Sequence, residues 1–187
     1  MKITALAVAL LALALPASGA VIHDESIDGD LATDPNAPTV LALSVGGNTV
    51  IGSVSNVGTT DRDYVTFTVA PNQILTGLNL LAIAPDNLAF AALNAGTTSF
   101  VPGAGTIGSF LSGIHIAAAQ VGDLLPLFVS SSVTTNSLPV PLLGPGDYCF
   151  MIQQTSAITQ TYSLEFFLQA SVPTENSTWG AVKALYR

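Results

Sequence analysis

Positive charge is almost missing from this chain. Its 187 residues hold four Lys and Arg against twelve Asp and Glu. Phosphate recognition needs clustered cations, so nucleic acid is excluded as a partner, and anionic membrane surfaces with it. Charged residues of either sign make up 9% of the chain, well below the ~25% of an average globular domain. Ser, Thr, Asn, Gln and Gly must then carry solubility. Cysteine occurs once, at Cys149. That excludes an intramolecular disulfide, and with it a stapled mini-domain. Cys149 lies inside a strand pattern and reads as a small buried hydrophobe. Histidine occurs only at His23 and His115, too few for a three-histidine zinc site. His115, set between Ile114 and Ile116, reads as a partly buried structural residue. No Gly-x-Ser-x-Gly elbow exists to present a nucleophile. Gly103-x-Gly105-x-x-Gly108 matches a dinucleotide fingerprint in spacing alone, because no βαβ pattern surrounds it.

What is present begins with an export signal. Lys2 supplies the positive start, Ile3 to Leu15 is apolar apart from Thr4, Pro16 breaks the run, and Ser18-Gly19-Ala20 offers a small-residue cleavage site. Cleavage after Ala20 leaves Val21 to Arg187, a length that suits one domain. The mature chain keeps Arg62, Lys183 and Arg187 against all twelve acids, a net charge of −9. No later stretch reads as a transmembrane segment. Ala82 to Ala95 comes closest, and Pro85, Asp86 and Asn87 interrupt it.

Residues 21–38 form an acidic lead-in with Asp24, Glu25, Asp28, Asp30 and Asp34, and Pro35 and Pro38 argue against regular structure there. Residues 39–170 read as strands separated by Gly and Pro turns. Thr39 to Val45 and Thr49 to Ser55 flank Gly46-Gly47-Asn48, which predicts a hairpin. Val65, Phe67 and Val69 alternate with Tyr64, Thr66 and Thr68, the mark of a half-buried strand. Further strands are predicted over 74–84, 88–93, 148–154 and 161–170; in the last, Tyr162, Leu164, Phe166 and Leu168 share a face. Residues 94–136 are the least regular part, with short helical turns expected near Ser109-Phe110-Leu111 and Asp123-Leu124-Leu125. The pattern predicts an all-β, antiparallel, jelly-roll-like sandwich of about seven to nine strands. In residues 171–187, Asn176-Ser177-Thr178 caps a predicted short helical tail bearing Trp179, Val182 and Tyr186. That tail reads as a separable sorting or attachment tag.

The acids hold the best candidate site. Calcium takes six to eight oxygen ligands on adaptable backbone. Asp28, Asp30 and Asp34 of the lead-in, folded back beside Asp61 and Asp63, would supply them.

Five segments together resemble the bacterial pre-peptidase C-terminal domain. They are the acidic stretch Asp28 to Asp34, Gly52-Ser53, Asp61 to Tyr64, Gly146-Asp147-Tyr148 and Tyr162-Ser163-Leu164. The resemblance covers about Ile27 to Ala170. Val172-Pro173-Thr174-Glu175-Asn176-Ser177-Thr178-Trp179 is similar to the opening of a PEP-CTERM sorting signal, whose hydrophobic span and arginine cluster do not follow. The resemblance implies a secreted or cell-surface protein, and calcium at a place comparable to that in related domains of some secreted collagenases. With no catalytic constellation in view, the expected role is non-enzymatic: adhesion, or organisation of extracellular matrix and exopolysaccharide, with polysaccharide or envelope proteins as partners. A carbohydrate-binding module using Tyr64, Phe167 or Trp179 is one alternative. A secreted hydrolase with its site in residues 94–136 is another.

Overall fold

The computed structural model describes residues 19–96 and 110–171. Most of the expected signal segment, the Gly103 to Gly108 loop and the expected helical tail lie outside those residues. No helix among the described residues is long and apolar enough to cross a membrane.

The described chain is an all-β sandwich of two five-stranded sheets. Its strands are β1 (Ala20–Asp24), β2 (Thr39–Val40), β3 (Gly46–Ser55), β4 (Arg62–Val69), β5 (Gln73–Ala84), β6 (Ala89–Ala95), β7 (Ser112–Ile116), β8 (Gly122–Asp123), β9 (Gly146–Gln154) and β10 (Thr159–Ala170). Two short helices, α1 (Glu25–Asp28) and α2 (Leu125–Val129), interrupt them. One sheet runs β1-β3-β10-β5-β8 and the other β2-β4-β9-β6-β7. Ten strands exceed the expected number because two of them, β2 and β8, are two-residue pieces too short to leave a periodic signal. Pairing is antiparallel except at two edges, where β1 runs parallel to β3 and β2 parallel to β4.

The strands predicted around residues 64–69, 74–84, 88–93, 148–154 and 161–170 form close to the expected positions, as β4, β5, β6, β9 and β10. Val65, Phe67 and Val69 of β4 and Tyr162, Leu164, Phe166 and Leu168 of β10 are all buried between the sheets. Phe166 stands edge-on to both Phe67 and Phe150, with ring centroids 5.2 and 5.9 Å away, the arrangement that ring quadrupoles favour. The other face of β4 is covered as well. Tyr64, Cys149, Met151 and Phe110 make a second cluster on the outside of that sheet, so Tyr64, 1% exposed, presents no ring to a ligand. The Gly146-Asp147-Tyr148 turn has a similar local logic. Gly146 takes a φ of +153°, which side-chain-bearing residues rarely adopt. It thereby turns Tyr148 back so that its hydroxyl donates to the Gly144 carbonyl at 2.9 Å.

The predicted hairpin across residues 39–55 does not form. Thr39 and Val40 pair with β4 in one sheet, while β3 lies in the other. Between them the chain crosses the sandwich edge, with Leu41 buried in the core. Asn48 makes the crossing possible. It is fully buried, accepts from the Ser44 amide at 2.8 Å, and donates to the carbonyls of Ser44, Gly46 and Phe166 at 2.8–3.0 Å. Its side chain thus does the work of a ladder where no strand partner stands, and buried polar groups have to be paired somewhere.

Two other expectations are corrected. The segment 94–136 contains a regular strand, β7, paired with β6; of its two expected helical turns, the one near Asp123-Leu124-Leu125 forms as α2 and none forms at Phe110-Leu111. His115, predicted to be partly buried, is exposed on the outer face, edge-on to Phe90. The two flanking isoleucines are what the core takes, because alternation sends residue 115 the other way.

The acidic lead-in is not irregular either. It supplies edge strand β1, the turn of α1 and the buried core residue Leu31. Ala32 then bridges to Tyr64, with a 2.9 Å bond from the Tyr64 amide to the Ala32 carbonyl. The two prolines fall after these features, so their veto on regular structure does not reach them.

Candidate metal centre

One end of the sandwich gathers carboxylates from three parts of the chain. The turn α1 sets the first. Asp24 caps it, accepting from the Ser26 amide at 3.0 Å and hydroxyl at 2.7 Å, while Asp28 accepts from the Asp24 amide at 2.9 Å. This local closure aims Glu25 at β3. One Glu25 oxygen accepts from the Ser53 amide at 2.7 Å and hydroxyl at 3.1 Å; the other accepts from the Leu31 amide at 3.3 Å. Gly29, with φ +92°, then reverses the chain, and burial of Leu31 holds the segment carrying Asp30 close by.

The other carboxylates arrive on β4. Asp63 shares the inward face with Val65 and Phe67 and is 1% exposed. Across the sandwich, the Tyr162 hydroxyl of β10 donates to Asp63 Oδ2 at 2.6 Å, so this bond ties one sheet to the other. Asp63 Oδ1 has no hydrogen-bond partner, nor does Asp61 Oδ1 just before the strand. Ligand oxygens of Glu25, Asp30 and Asp63 all lie within 4.8 Å of one another. Two oxygens on opposite sides of a calcium ion, each about 2.4 Å from it, are separated by about 4.8 Å. A buried oxygen without a donor is costly, and here it belongs to a carboxylate whose cluster has the dimensions of a cation shell.

The electrostatics agree. Burial pushes the Asp63 carboxyl up to about 9; the Tyr162 hydrogen bond opposes this, and the charges of Glu25, Asp61 and Asp30 add to the rise. Burial also raises Asp61, with Asp30 contributing, and raises Glu25 against its three hydrogen bonds. Arg62 is the one Lys or Arg among the described residues, and it is exposed while its neighbour Asp63 points inward. The cluster therefore calls for compensation from outside the described residues, by protons or by a cation. Its donors are all carboxylate oxygens, the set that suits hard ions such as calcium or magnesium rather than zinc or copper.

Of the five acids expected from sequence, Asp30 and Asp63 come together, Asp61 stands near enough to feel and add to their charge, and Asp28 and Asp34 are used elsewhere. Asp28 is used in closing α1. Asp34 caps a separate turn, accepting from the Asn36 amide at 2.8 Å. Glu25 takes their place. Asp24 before Glu25-Ser26 is a helix N-cap signal, and reading it would have shown that Glu25 starts a turn.

Gly52 is the second contributor that sequence reasoning missed. A Cβ there would lie 2.6 Å from the Tyr162 hydroxyl and 3.1 Å from Glu25 Oε1. The position is glycine because the tyrosine hydroxyl and the glutamate occupy its side-chain space. Gly52→Ala is expected to cost about 1–3 kcal/mol, the usual penalty for overpacking, since buried Tyr162 has nowhere to go. Urea denaturation in chelator measures it; a cost below a few tenths of a kcal/mol would show that the contact yields easily.

No protein-family model matches this chain, and no curated protein does.

Proposed function

We propose that this protein is an exported, non-catalytic β-sandwich of the cell envelope or extracellular matrix, held in its working form by one calcium ion. The observation that carries the reading is Asp63. It is buried with one oxygen unpartnered, and its carboxylate lies with those of Glu25 and Asp30 inside the dimensions of a single cation shell. Asp61 stands close enough to be perturbed by the same charges. A cation held there joins the N-terminal segment, through Glu25 and Asp30, to the sheet that carries Asp63. Glu25 is itself bonded to Ser53 of the opposite sheet. In a chain with no disulfide, such a tie supplies the cross-link that exported domains otherwise gain from cystine. Calcium fits an exported module because extracellular sites work at Kd values of about 10⁻⁴–10⁻³ M, which a partly exposed carboxylate set provides.

The non-catalytic reading is supported by the separation of the chemically active side chains. His23 bonds the Gly29 carbonyl at 3.0 Å, and His115 stands on the outer face against Phe90. The one is engaged with backbone and the other lies in the sheet that carries β6 and β7. The sequence segments that resemble the pre-peptidase C-terminal domain include Gly52-Ser53, Asp61 to Tyr64 and Tyr162, which are the residues that frame this site. Isothermal calorimetry with calcium tests the proposal. One ion per chain should bind to the wild type and none to Asp63→Asn. Absence of binding to the wild type at several millimolar calcium would overturn it.

A further inference from the structure

The outer face of the β1-β3-β10-β5-β8 sheet carries a groove that shares no lining residue with the cleft at the carboxylate cluster. Along β10, Glu165, Phe167 and Gln169 alternate with the buried Leu164, Phe166 and Leu168, and so stand outward in one row. The register with β5 sets Asn79 beside Glu165 and Gly77 beside Phe167, and β8 adds Asp123 beside Asn79.

The groove is organised before any ligand arrives. Asn79 Nδ2 donates to Glu165 Oε2 at 2.9 Å, which fixes the planes of both groups. Asp123 Oδ1 is held by the amides of Leu78 and Leu125 at 3.2 and 3.1 Å. Gly77 offers no side chain, so the space beside the half-buried Phe167 ring stays open; a Cβ there would already touch Phe167 Cβ at 3.3 Å. An apolar ring therefore lies one two-residue step, about 7 Å, from a row of oriented amide and carboxylate groups on one side, with the Gln169 amide on the other.

We propose that this groove binds a neutral hexose polysaccharide. An apolar platform flanked by planar hydrogen-bonding groups matches a pyranose. Its C–H face packs on an aromatic ring, while its equatorial hydroxyls donate to carboxylates and accept from amides. The charge selects the class. Glu165 and Asp123, on a chain of net charge −8, repel uronates and phosphates. A peptide cannot add as a strand to β10, which is paired on both sides.

The test is native affinity electrophoresis of the full chain in gels containing laminarin, galactomannan, xyloglucan or dextran, with alginate as an anionic control. At least one neutral polymer should retard the wild type, and alginate should not. Gln169→Ala and Glu165→Gln, both at sites outside the core, should weaken retardation about tenfold or more, and Gly77→Val, which fills the groove, should abolish it. Retardation should be equal in calcium and in chelator, so that failure here leaves the calcium reading standing, and the reverse. The proposal is overturned if none of the four neutral polymers retards the protein, or if retardation persists unchanged in Gly77→Val and Gln169→Ala.

Discussion

Excess calcium added to the chelated protein should raise its melting temperature by about 5–10 °C. A ligand at a hundred times its Kd, bound only to the folded state, stabilises by about 2.7 kcal/mol. In a domain of this length each kcal/mol is worth roughly 2–4 °C. Asp63→Asn should abolish the rise. The asparagine keeps the shape and still accepts from the Tyr162 hydroxyl, but it removes the buried negative charge that the ion compensates. In chelator the variant should therefore melt at or above the wild type, an unusual outcome for a change at a fully buried position. Burial of Asp63 explains it: without calcium the folded wild type must take up a proton there, because the carboxyl is pushed up to about 9, whereas a neutral amide folds into the same place with no proton to gather. Coincident wild-type curves in calcium and chelator, or a calcium shift kept by Asp63→Asn, would count against the site.

Without calcium, stability should fall as pH rises from 5 to 9. The Asp63 carboxyl titrates near 9 in the folded chain, against an ordinary carboxyl value of 3.8. Between those values the folded state holds a proton that the unfolded state has released. Unfolding then releases a proton, so the unfolding free energy decreases with pH. The contribution is complete below the ordinary value and is lost by about pH 9. One proton limits the slope to about 1.4 kcal/mol per pH unit. The raised Glu25 and Asp61 carboxyls act in the same direction. Saturating calcium should flatten or reverse the trend, since a cation competes with protons for the same oxygens and binds better as they ionise. Urea titrations at pH 5, 7 and 9, with calcium and with chelator, measure both slopes. Stability that rises with pH in chelator would contradict the burial of Asp63 as an acid.

The candidate site was only partly legible. Asp61 and Asp63 could be chosen because an Asp-x-Asp pair opening an alternating strand puts both acids on one face. Asp30 could be chosen from its place in the acidic lead-in. Choosing Glu25 over Asp28 and Asp34 required knowing which carboxylate α1 carries to β3, and that depends on contacts with Ser53, twenty-eight residues away in sequence. Gly52 was visible as a glycine in a strand, but its reason lies in Tyr162, which reaches it only through the β3–β10 pairing.

Sequence by itself determined the fold class and most strand positions, because alternation and turn chemistry are local properties that survive without knowledge of partners. It also determined which face of β4 and of β10 would meet the core between the sheets, though not that the outer face of β4 would be covered too. Tertiary structure decided which strand lies beside which. β3 pairs with β10 from the far end of the chain, and the segment between β2 and β3 crosses between sheets instead of folding as a hairpin. Tertiary structure also decided which acids share a site, since carboxylates distant in sequence become neighbours only when both sheets have closed on a common core. Burial then decided their chemistry. The same Asp side chain that caps an exposed turn at position 34 becomes, at position 63, a group that needs a proton or a cation, because closing the sheets removes the water that would otherwise solvate its charge.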